Sequence, residues 1–160
     1  MSTQERTKPI LYIDVDGVLF GLYGDPQAFQ LRPGVSSFIQ WAMKHFDCKW
    51  LTSWPKEALV KLYNSLYNFG GDMLFPDYVD WRNCSRKQGV TDRKTAGIDW
   101  NAEWFWIDDG PVGVERMDLR SRNAWHRWIE VRYEGADELE RVRAILTDKL
   151  VALTKEANTP

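Results

Sequence analysis

Only two cysteines, Cys48 and Cys84, and two histidines, His45 and His126, occur among 160 residues. Two thiols cannot build a disulfide framework, and they suit a reducing compartment. The histidines lie far apart and far from the acidic clusters, so neither has a partner at metal-ligand spacing, and both read as structural. No apolar run approaches the roughly eighteen residues of a membrane span. The segment from Met1 to Lys8 is polar and lacks the apolar stretch of a signal peptide. Neither sign of charge dominates, since 21 Lys plus Arg stand against 23 Asp plus Glu. That balance argues against a strongly basic nucleic-acid binder and leaves room only for a local patch. There is no internal repeat and no low-complexity segment. These absences predict a soluble, cytoplasmic chain with no membrane association.

What is present points to one folded domain. The apolar fraction of 44% is enough to bury a core, which excludes a wholly disordered chain. The length fits a single domain over 10–154, with loose tails at 1–9 and 155–160. Nine tryptophans stand out. They read as half-buried packing residues whose indole N–H reaches a polar partner, with a cluster lining a binding groove as the alternative.

Periodicity organises the chain into alternating strands and helices. Ile10-Leu11-Tyr12-Ile13 is a short apolar run ending in acids, as in a strand buried on both faces. The Gly- and Pro-broken stretch from Gly17 to Arg32 reads as loop or hairpin. Val35, Phe38, Ile39, Ala42, Met43 and Phe46 follow at helical spacing, with Pro33 near the first turn. Cys48 to Leu51 is a second strand. Ser53 is placed to cap a helix that has Pro55 near its start, Leu59, Leu62, Tyr63 and Leu66 on one face, and Gly70-Gly71 at its end. From Asp72 to Gly89 the pattern is mixed, broken by Pro76 and Asn83. Thr91 is placed to cap a short helix through Lys94 to Gly97. Trp104 to Ile107 and Trp128 to Tyr133 read as further strands. Leu139, Val142, Leu146, Leu150 and Leu153 mark a final helix. The alternation predicts an α/β domain with a mainly parallel sheet, whose ligands bind beyond the carboxyl ends of the strands.

Polar residues collect at three of those ends: Asp14 with Asp16, Thr52 with Ser53, and Asp108 with Asp109. Four carboxylates converging on one sheet edge repel each other unless a cation neutralises them. A hard divalent ion with oxygen ligands, Mg²⁺, fits such a set. Thr52 offers a hydroxyl and Lys94 an ammonium to the same phosphate. Asp14 is placed to attack phosphorus, and Asp16 to act as general acid and then general base.

The run Ile10-Leu11-Tyr12-Ile13-Asp14-Val15-Asp16-Gly17-Val18-Leu19 resembles the first motif of the haloacid-dehalogenase-like (HAD) superfamily. Trp50-Leu51-Thr52-Ser53 resembles the second, Lys94 the third-motif lysine, and Trp106-Ile107-Asp108-Asp109 the acidic fourth. The resemblance covers about Ile10 to Asp109. It implies a Rossmann-like three-layer α/β/α sandwich in which Asp14 is nucleophile and metal ligand. Asp16 would be the general acid/base, ligating Mg²⁺ through its carbonyl. Thr52 and Lys94 would bind the phosphoryl group, with Ser53 beside them, and Asp108 and Asp109 would hold the metal. The second Asp of the first motif separates the superfamily's phosphatases from its dehalogenases. The windows after the first and second motifs fit only a short flap hairpin, so the resemblance implies a capless member with an open site.

The resulting expectation is a Mg²⁺-dependent phosphohydrolase acting on a phosphorylated substrate of unknown identity. Lys87 and Arg93 compete with Lys94 for the phosphate. Trp54 is read as packing on the next helix, with stacking on a base or sugar as the alternative. Arg116, Arg120, Arg122 and Arg127 are read as a solvated face broken by Glu115 and Asp118. A polynucleotide end phosphatase, a receiver-like domain and a non-catalytic HAD-like binding module are the competing functions. The receiver is disfavoured, because no isolated Asp ends a middle strand.

Overall fold

The four residues of β1 (Ile10–Ile13) are apolar and all buried, as a strand covered on both faces requires. In the computed structural model, which describes residues 7–22, 29–67, 76–132 and 134–156, it is the centre of a five-stranded sheet. Its neighbours are β4 (Asp47–Trp50) and β6 (Trp104–Asp108). Outside these lie β5 (Asp77–Tyr78) and β7 (Trp128–Glu130), giving the order β5-β4-β1-β6-β7 with every pairing parallel. A separate antiparallel hairpin, β2 (Phe20–Leu22) with β3 (Phe29–Leu31), follows β1. The helices are α1 (Val35–His45), α2 (Lys56–Tyr67), α3 (Trp81–Gln88), α4 (Gly113–Ser121) and α5 (Glu138–Glu156).

Strand alternation divides the core in two. Leu11, Ile13, Phe105 and Ile107 face a cluster completed by Phe38 and Ile39 of α1, Leu59 of α2, and Val142 and Leu146 of α5. Tyr12, Trp104 and Trp106 face the opposite cluster, with Trp81 of α3 and Leu119 of α4. Helices therefore cover both sheet faces, and the α/β reading with its parallel sheet holds.

Several local expectations change. The helix after β4 starts from the Pro55 carbonyl, which receives the Ala58 and Leu59 N–H groups, so Ser53 is not its cap. The mixed region contains α3, opened by the Asp80 side chain accepting the Asn83 N–H and closed by Gly89 at φ 67. Asn83 thus lies inside a helix instead of breaking one. The Lys94–Gly97 segment is a 3₁₀ turn preceded by Arg93, and Thr91 does not cap it. Its hydroxyl instead accepts from the Arg93 guanidinium at 2.8 Å. The fourth expected strand ends at Glu130, and α4 had no periodic signature. At the amino-terminal edge, the Pro9 carbonyl accepts the Asp47 N–H, and Lys8 Nζ donates to the Met43 carbonyl, so these two residues are not loose. α5 continues to Glu156, past the expected domain end. Tyr133, Gly70-Gly71, the flap positions Tyr23 and Asp25, and the side chains of Phe29, Tyr63 and Leu66 lie outside the described residues.

Trp50, Trp104 and Trp106 are fully buried, more deeply than packing at half exposure implied. Among the described residues, no helix is long and apolar enough to cross a membrane.

Candidate functional site

β4, β1 and β6 lie side by side and parallel, so their carboxyl ends open on one edge. The register aligns Ile13 with Trp50 on one side and Ile107 on the other. Asp14 and Asp108 come next, at one level, and the Asp14 N–H donates to the Ile107 carbonyl at 3.1 Å. Thr52 follows Leu51, whose N–H donates to the Ile13 carbonyl at 2.9 Å. Three sequence-distant segments thus meet because parallel pairing fixes their ends together.

Lys94 Nζ stands 2.7 Å from Asp14 Oδ2 and 2.7 Å from Asp108 Oδ2. Asp14, Asp108 and Asp109 each present an oxygen, and these oxygens all lie within 4.8 Å of one another. Asp14 and Asp108 are almost wholly buried, whereas Asp109 is exposed. Burial pushes the Asp108 carboxyl up to about 7; the Lys94 ammonium opposes that rise and Asp14 adds to it. Asp109 is raised by burial and by Asp14. Burial pulls Lys94 down, but Asp108 and Asp14 outweigh it and hold the ammonium above its ordinary value. Three carboxyl groups share one ammonium, an acidic excess of the kind that a divalent cation offsets.

Hydrogen bonds aim the acidic groups. Asp14 Oδ1 accepts the Val15 N–H at 2.7 Å, and Asp108 Oδ1 accepts the Gly110 N–H at 2.8 Å. Trp128 Nε1 donates to the Asp108 carbonyl at 3.2 Å. Thr52 is fully buried; its carbonyl accepts Trp81 Nε1 at 2.7 Å and its hydroxyl accepts the Trp54 N–H at 3.2 Å. Ser53 is exposed at the rim, and Asp16 is half-buried beside the turn at Gly17. Of the competing cations, Lys87 is exposed on α3, and Arg93 pairs with Asp118 at 3.1 Å. Lys94 alone among the three enters the carboxylate cluster. Trp54 stacks on Phe20 at the root of the β2–β3 hairpin, with centroids 5.3 Å apart, so it packs against the flap.

No family model matches the chain, and no curated protein matches it.

Three supporting residues were not legible as such. Glu115 is buried; its Oε1 accepts the Lys94 N–H at 2.6 Å and its Oε2 the Val112 N–H at 2.9 Å. Asp118 accepts the Thr95 hydroxyl and the Arg93 guanidinium. These acids, read as interruptions of a basic face, bolt the lysine turn onto α4, the helix that follows the acidic pair. The only available signal was the position of Glu115, three residues past the helix-start residue Val112, where a Glu closes back on the backbone.

Arg32 is buried at 1% exposure. Its guanidinium donates to the carbonyls of Val18 at 2.8 Å, Gly17 at 2.9 Å, Gly135 at 2.8 Å and Arg132 at 3.0 Å. It ties the loop after Asp16 to the segment after β7. Arginine is seldom buried, so sequence gave no reason to place it there.

Proposed function

We propose that the chain is a capless HAD-like phosphohydrolase that uses Mg²⁺ and forms an aspartyl-phosphate on Asp14. The observation that carries this reading is Lys94 Nζ seated 2.7 Å from Asp14 and 2.7 Å from Asp108, with the Asp109 carboxylate beside them. A buried carboxylate at a strand end, an ammonium and a hydroxyl-bearing neighbour are the groups that phosphoryl transfer needs.

Asp14 attacks phosphorus, forming an acyl-phosphate bond as the ester P–O bond breaks. Asp16, half-buried and two residues on, gives its proton to the departing oxygen. It then takes a proton from the water that attacks the phosphorus of the aspartyl-phosphate, releasing phosphate and restoring the Asp14 carboxylate. Lys94 and the Thr52 hydroxyl hold the equatorial oxygens. Asp14, Asp108, Asp109 and the Asp16 carbonyl would hold Mg²⁺, and the oxygen-only donor set suits a hard cation. The chemistry that ion supplies is neutralisation of clustered carboxylate and phosphoryl charge.

The test is release of phosphate from a panel of phosphomonoesters with Mg²⁺, with EDTA, and with Asp14→Asn. Turnover that needs Mg²⁺ and falls to background in the variant supports the reading. Equal turnover by Asp14→Asn excludes the covalent route. No turnover with Mg²⁺ binding intact makes the domain a binding module.

A further inference from the structure

Two exposed arginines are pinned at the mouth of this edge by one bond each. Arg82, at the start of α3, donates through its NH2 group to the Ser53 carbonyl at 3.4 Å, and its guanidinium lies 4.2 Å over the Trp81 ring. The same Trp81 is locked to the Thr52 carbonyl by its indole N–H. Arg116, on α4, donates through Nε to the Pro111 carbonyl at 2.7 Å, just past Asp108 and Asp109. Their remaining N–H groups have no protein partner among the described residues, and neither arginine has a carboxylate within ion-pair distance there. The neighbouring cations at this edge are paired instead: Lys94 with Asp14 and Asp108, and Arg93 with Asp118.

The two anchor points, Ser53 and Pro111, each lie three residues past the ends of β4 and β6, the strands on either side of β1. By strand spacing those ends are about 10 Å apart, with Asp14 between them. Stacking on an indole and a single backbone bond fix a guanidinium while leaving its fork open, the arrangement that binds phosphate bidentately. A small monoester occupying Lys94 and Thr52 uses neither fork. The geometry points to a second anion subsite, Arg82 with Arg116, that binds a non-reacting phosphate of the substrate while the reacting one lies at Asp14. The substrate class is then a phosphomonoester carrying a further phosphate, as in a nucleoside bisphosphate or the phosphorylated end of an oligonucleotide. This rests on the phosphohydrolase reading for the identity of the reacting group.

The experiment compares kcat/KM for a nucleoside 3′,5′-bisphosphate and for a 3′-phosphorylated oligonucleotide with that for p-nitrophenyl phosphate. It is run on the wild type, the Arg82→Gln/Arg116→Gln double variant and Lys44→Gln. Lys44 is an exposed cation in the last turn of α1, so its variant controls for loss of charge alone. The selectivity ratio for at least one polyphosphorylated substrate falls on the order of tenfold in the double variant and is unchanged in Lys44→Gln. A fall for the bisphosphate identifies a mononucleotide ligand, and a fall for the oligonucleotide alone identifies a strand end. An unchanged ratio, or an equal fall in Lys44→Gln, overturns the subsite. Binding to Asp14→Asn, by calorimetry, separates this from failure of the hydrolase reading. The nucleoside bisphosphate binds that variant more tightly than the monophosphate, and adding the two arginine substitutions removes the difference. Equal affinities overturn the subsite whether or not the wild type turns anything over.

Discussion

The Asp109 carboxylate occupies the space where residue 17 would carry a side chain. A β-carbon on Gly17 would overlap that carboxylate and lie 2.8 Å from the Asp109 β-carbon. Gly17 also holds a φ of 71, which costs other residues strain. The turn after β1 and the acidic pair at the end of β6 thus fit each other only through a missing side chain. Gly17→Ala is expected to lower stability by about 1–3 kcal/mol, from backbone strain alone. For the proposed Mg²⁺ site, moving Asp109 is also expected to weaken binding of the ion. Denaturant unfolding and metal titration check both, and wild-type values in the two would disprove the close fit.

Glu115 accepts one backbone N–H on each oxygen, from Lys94 and from Val112. Glutamine keeps one acceptor, so Glu115→Gln leaves a partly buried N–H facing an amide donor. The expected loss is about 1–3 kcal/mol. Asp118→Asn, at a half-buried position, is expected to cost less. Urea midpoints of the two variants, measured side by side, decide the order.

Glu138 sets a pH dependence away from the site. Burial raises its carboxyl, but the Arg141 guanidinium and the Arg132 N–H outweigh burial and hold it below its ordinary value. A depressed carboxyl contributes stability that is fully present above its unfolded-state value, about 4.3, and is lost as pH falls through the lower folded-state value. The Tm difference between wild type and Glu138→Gln is therefore expected to be largest near neutrality and to shrink below about pH 4. Thermal melts across pH 2.5 to 7 show it (~ the range bracketing that titration); a constant difference would assign the effect to packing.

The two cysteines should react differently. Burial pushes the Cys48 thiol up to about 12, with Asp47 adding to the rise, while Cys84 is only half-buried. An aromatic disulfide reagent at mild alkaline pH is expected to titrate Cys84 in the native protein and both thiols in guanidinium. Native reaction at both sites with one rate would contradict the packing around β4.

The apolar run of β1 and the apolar-to-acid switch after Ile107 carry local information, because a strand covered on both faces must be apolar along its length. Sequence alone therefore determined the α/β architecture, the three strand ends and the segment that supplies Lys94. Short polar elements escaped it: α3 and α4 bury only Trp81 and Ser85, and Glu115 and Leu119, too few apolar positions to show a period. Only the tertiary structure decided that Lys94, and neither Lys87 nor Arg93, meets Asp14, eighty residues away. It likewise decided that Arg32 and Glu115 are buried, and that Arg82 and Arg116 flank one edge. Each of those placements depends on which residues become neighbours when the parallel strands align. Charge, size and hydrogen-bonding capacity are properties of one residue, whereas a partner for a buried charge is supplied by chain that is distant in sequence.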